Sequence, residues 1–72
     1  MDVNAQYIDR LSYLLKEVER LMDKSHEEHV SDAEYLRSAI SLLQSGKLTE
    51  AQSLIRQLSP WAGEIAVECG QL

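Results

Sequence analysis

The residues with the most obvious capacity for chemistry are His26-Glu27-Glu28-His29. Imidazoles and carboxylates at this density are the donors that zinc and nickel sites use. On a helix, His26 and His29 share a face, with Glu27 or Asp32 nearby. The histidines are three apart, not four as in an HExxH arrangement. The segment holds no third histidine and no thiolate. A proton-sensitive role is the second chemistry open to it, because histidine changes charge between about pH 5 and 8. The third reading is a solvated helix end or loop, and it is the one adopted. No metal and no cofactor is expected.

The remaining reactive side chains do not assemble into a catalytic set. The serines fall where caps and wet helix faces use them. There is no glycine-rich phosphate loop. Glu27-Glu28 and Glu64 with Glu68 sit at surface positions, with no pocket to raise a pKa. Tyr13 stands apart. It projects about 140° from the centre of the first helix's apolar stripe, among Lys16, Glu17 and Arg20. Tyrosine beside arginine is a frequent composition of interface hot spots. Trp61, after Pro60, suits either a plug closing one end of a bundle or a partner-facing anchor. A non-enzyme is expected, with no small-molecule substrate evident.

The elements that position these groups come from a short chain. It has 72 residues and a formal net charge of −5. That is one small domain at most. A single core of this size rarely supplies more than about 3–5 kcal/mol, and a second chain is a common remedy. With 44% hydrophobic residues it is too apolar to stay disordered. The charge is uneven: residues 1–34 carry nine acids and four bases, and the rest are balanced. Phosphate binding needs clustered Lys and Arg, so nucleic acid is not expected as a partner. No apolar run approaches the roughly 20 residues of a membrane span. The N-terminus shows no basic region followed by an apolar run, so no secretory signal is expected. Cys69 is the only cysteine, which excludes a disulfide within the chain and suits a small buried hydrophobe. These features predict a cytoplasmic protein.

Periodicity predicts four helices and no strand. The first covers about residues 3–24. Its apolar residues fill an arc of about 140°. Ile8, Leu11, Leu15, Val18 and Met22 alternate by three and four, as heptad a and d positions do. The second covers about 32–45. Ser31-Asp32-Ala33-Glu34 reads as a capping box, Val30 and Tyr35 as its staple, and Gly46 as the stop. The third covers about 50–58, from a second box at Thr49-Glu50-Ala51-Gln52. The fourth covers about 60–69, with Ser59 as N-cap, Pro60 in the first helical position and Gly70 at its end. The short connection at Gly46 makes helices two and three an antiparallel hairpin.

Residues 35–58 resemble one tetratricopeptide (TPR) hairpin. Tyr35 stands in the early aromatic position, Ala39 in the small position and Leu42 in the next large one. Gly46 is at the turn, Ala51 at the helix-packing position, and Ile55 and Leu58 follow. The usual Leu-Gly pair is Ser38-Ala39 here, and there is no second copy, which excludes an array. The overall plan is also similar, in size and layout, to the small co-chaperones of type III secretion needle subunits. Both resemblances imply a helical protein that binds other proteins.

The expected fold is all-α: a small bundle of one long amphipathic helix, a tight antiparallel hairpin and a short C-terminal helix. The first helix would run about 33 Å, longer than helices three and four can cover. The surplus stripe predicts a non-catalytic protein-interaction module, a small adaptor, co-chaperone or regulator. The expected contact residues are Leu11, Tyr13, Leu15, Val18, Arg20 and Trp61. The partner would be another protein or a second copy. The alternatives are a structural homodimer pairing along the first helix, and a small acidic inhibitor or antitoxin-type protein.

Overall fold

The computed structural model describes residues 3–68. It is all-α, with no strand among the described residues. Four helices follow in order: α1 (Val3–Leu21), α2 (Glu27–Gln44), α3 (Leu48–Ile55) and α4 (Pro60–Glu68). α2 is the central element. α1, α3 and α4 all pack on it, and α4 also touches α1. No helix among the described residues is long and apolar enough to cross a membrane. Cys69 and Gly70, expected as a buried thiol and a helix stop, lie outside the described residues.

α1 stops at Leu21, short of the expected 24, because Asp23 captures the chain. Its Oδ1 accepts the Ser25 N–H at 2.9 Å and the Ser25 hydroxyl at 2.7 Å. Such a side-chain turn competes with continued helix. The His26 N–H then closes onto the Asp23 carbonyl at 3.0 Å. His26 is extended (φ −100, ψ 114) and serves as N-cap of α2 without a side-chain bond. Glu27 and Glu28 fill the first turn, where carboxylates suit the positive end of the helix dipole.

α2 therefore begins five residues before the expected 32. The capping box at Ser31 does not form, because Ser31 and Asp32 already lie inside the helix. Asp32 is bonded to another element instead. The other end of α2 follows its sequence signal. Gly46 adopts φ 79. Its N–H reaches the Leu43 carbonyl at 3.0 Å, and the Lys47 N–H reaches Leu42 at 2.8 Å. These are the paired bonds of a Schellman stop. α3 starts at Leu48 with Lys47 as N-cap, so the Thr49 box is not used either. It ends at Ile55 rather than 58, where the chain tightens into bonds from Gln57 to Leu54 and from Leu58 to Ile55.

The two described glycines have opposite roles. A Cβ at either would meet nothing within 4 Å, so backbone alone decides. Gly46→Ala forces an L-residue into the left-handed region, at a cost of about 1–2 kcal/mol. Gly63 lies inside α4, where Gly63→Ala is expected to gain about 0.5–1 kcal/mol. Urea midpoints moving in these opposite directions would bear this out, and a stabilised Gly46→Ala would contradict it.

The core is Leu11, Leu14 and Val18 from α1, Ala33, Leu36, Ala39 and Leu43 from α2, Ala51 from α3, and Ala62, Ile65 and Ala66 from α4. The alanines let helix backbones approach closely but bury little area each. The few large side chains therefore carry most of the apolar burial. Across the α1–α2 contact, Arg37 Nη2 meets Glu19 Oε2 at 2.6 Å on the exposed rim.

Candidate functional site

Two regions hold the chemistry-bearing residues. The first is the corner where the α1–α2 connection, α2 and the start of α4 meet. Asp32 is 1% exposed there. Its Oδ1 accepts the Ser59 backbone N–H at 2.9 Å, and its Oδ2 accepts the Ser59 hydroxyl at 2.5 Å. Ser59 Oγ in turn accepts the Ala62 N–H at 3.4 Å, the N-cap role that Ser59-Pro60 predicts. A buried carboxylate on α2 thus holds the first turn of α4. Charge and dipole agree, because the carboxylate faces a helix N-terminus.

Beside it, His29 lies flat on Trp61, with ring centroids 3.7 Å apart and an interplanar angle of 15°. His26 is 5.0 Å from His29 on centroids. His29 Nδ1 accepts the Asp23 N–H at 3.0 Å, and His26 Nε2 stands 3.8 Å from Asp23 Oδ2. The Asp23 carboxyl is held below the usual aspartate value of 3.8, first by the Ser25 backbone N–H and then by the Ser25 hydroxyl. Among the described residues no three His, Cys, Asp or Glu side chains are grouped to hold a metal ion. The His26–His29 segment is a helix start, with His26 exposed and His29 half-buried. Trp61 is half-buried and stacked on His29.

The second region is the outer surface of α1. Tyr13 is 51% exposed and Leu21 is 47% exposed. Arg10, Glu17 and Arg20 are three, four and seven residues from Tyr13, and so share its face. Arg20 Nη2 donates to Glu17 Oε2 at 2.7 Å, and this holds the Glu17 carboxyl below its usual value of 4.5. On α4, the helix beside α1, Val67 is 68% exposed.

The expected contact residues divide accordingly. Tyr13 and Arg20 face solvent, and Leu15 is half-buried against the core. Leu11 and Val18, also expected as contact residues, are fully enclosed in the chain's own core. Asp32 and His29 carry the corner, and sequence reasoning gave neither of them this role. Asp32 was read as part of a local cap, although its partner is 27 residues away. No family model matches the chain, and comparison with curated proteins and with solved structures gives no match.

Proposed function

We propose that the chain is a non-catalytic protein-interaction module, a small adaptor, co-chaperone or regulator that holds another protein against the outer face of α1. The observation that carries the reading is Tyr13, a large aromatic half in solvent at mid-helix. It shares its face with Arg10 and Arg20, and Tyr and Arg are enriched among residues that dominate interface energies. Leu21, about two turns further along α1, is another exposed apolar side chain. Val67 adds a second exposed apolar side chain on the neighbouring helix. The proposed contact set is Tyr13, Arg20 and Leu21 on α1, with Leu11 and Val18 enclosed in the core. A homodimer along the Leu11–Leu15–Val18 seam would need the core opened, since Leu11 and Val18 are buried within their own chain.

The test begins with a stoichiometric partner co-purified with a tagged copy from the source cells. Binding of that partner is then compared for the natural chain and Tyr13→Ala. The variant is expected to bind about tenfold or more weakly, the loss typical of a hot spot. Its folding stability should stay within about 0.5 kcal/mol, as for an exposed position. A folded Tyr13→Ala, Leu21→Ser variant that binds with undiminished affinity would remove the proposed surface.

A further inference from the structure

We propose that His29 is a proton-operated clasp for the α1–α2 connection, in which protonation of Nδ1 removes the acceptor that holds the Asp23 amide. The hydrogen bond defines the ring's state. An imidazole nitrogen that accepts an N–H carries no proton, so His29 is neutral here, with its proton on Nε2. The opposite constraint comes from α4, where Trp61 lies flat against the ring. His29 therefore links three segments: its own helix, the connection through Asp23, and α4 through Trp61.

The titratable groups facing His29 are Asp23 and His26 of the connection. α4 presents the uncharged Trp61 ring. Asp32, one turn further along α2, is engaged with Ser59. Asp23 keeps its charge throughout the histidine range, because Ser25 stabilises the carboxylate. An imidazolium at position 29 is thus attracted by that carboxylate and by the indole face. The ring stays on Trp61 when it gains a proton. Its Nδ1, now a donor, opposes the Asp23 N–H. The consequence is local: the Asp23 N–H loses its acceptor and opens to exchange, while the Asp23 carboxylate keeps the imidazolium beside the connection and α4 remains docked. Acid loss of the Asp23–Ser25 turn is a separate event. That turn's contribution is present above the usual aspartate value of 3.8 and is lost as pH falls through the lower folded value.

The experiment is an NMR titration of the full chain between about pH 8 and 5, the span over which histidine changes charge. The His29 Cε1–H reports the ring, and the Asp23 amide reports the bond. The amide shift is expected to follow the ring. Amide exchange, corrected for its intrinsic pH dependence, should rise about tenfold, the equivalent of one hydrogen bond. Leu36, in the middle of α2, should show no such change. His29→Phe keeps an aromatic on Trp61 and should abolish the response, whereas His26→Ala should retain it. A His29 ring that protonates while the Asp23 amide stays protected would overturn the proposal. So would a response that survives in His29→Phe. Should His29→Phe not fold, the titration of the natural chain decides alone.

Discussion

Asp32→Ala is expected to remove most of the chain's folding stability at 25 °C. The carboxylate accepts two hydrogen bonds from Ser59 in a site closed to water. Bonds to a charged acceptor contribute about 1.5–3 kcal/mol each. Removing the acceptor also strands the Ser59 N–H in a half-buried turn, so the loss is about 3 kcal/mol or more. A domain of this size has about 3–5 kcal/mol in total. The two conservative changes order the contributions. Asp32→Asn keeps an oxygen for the Ser59 N–H and gives up the charge, so it should cost less than the alanine. Ser59→Ala removes the hydroxyl but leaves the backbone bond in place, and should also cost less. Urea denaturation followed by far-ultraviolet circular dichroism measures all three. An Asp32→Ala chain within about 0.5 kcal/mol of the natural one would mean that burial of the charge offsets both bonds.

Leu36→Ala is expected to be comparably damaging, by a different route. Leu36 is fully enclosed near the middle of α2, the helix on which the other three pack. Removing a buried leucine side chain costs about 2–5 kcal/mol, and more when the surroundings cannot close the cavity. Here much of the core is alanine. Alanine has no rotamers with which to fill a void, so the upper part of that range applies. Leu36→Met conserves volume and should cost under about 1.5 kcal/mol. Leu48→Ala is the contrast, because Leu48 is exposed and the change should stay within about 0.5 kcal/mol. Equal denaturation midpoints for Leu36→Ala and Leu48→Ala would show that Leu36 is not part of a close-packed centre.

The features legible in the sequence were those with local causes. Helix number and order follow from periodicity, the end of α2 from Gly46, and the start of α4 from Ser59-Pro60. Tyr13 could be placed in solvent because its angle from the apolar stripe is fixed by helix geometry alone. The misplaced start of α2 has a non-local cause. Ser31-Asp32-Ala33-Glu34 has the composition of a helix start, but a side chain satisfied by a distant partner looks the same in sequence as one satisfied nearby. The surplus stripe on α1 comes from weighing it against the short helices α3 and α4 alone, whereas α1 packs chiefly on α2, and Leu11 and Val18 are enclosed in that core. The stacking of His29 on Trp61 joins residues 32 apart, and no spacing rule announces it.

The central position of α2 has a consequence for how the chain folds. α1 and α3 are its sequence neighbours, so their contacts close short loops and form early. α4 differs: its first turn is tied to α2 through Ser59 and Asp32, 27 residues apart. That closure is slower and comes after the hairpins it joins. The buried carboxylate acts late, so its removal mainly accelerates unfolding and leaves the rate of collapse nearly unchanged.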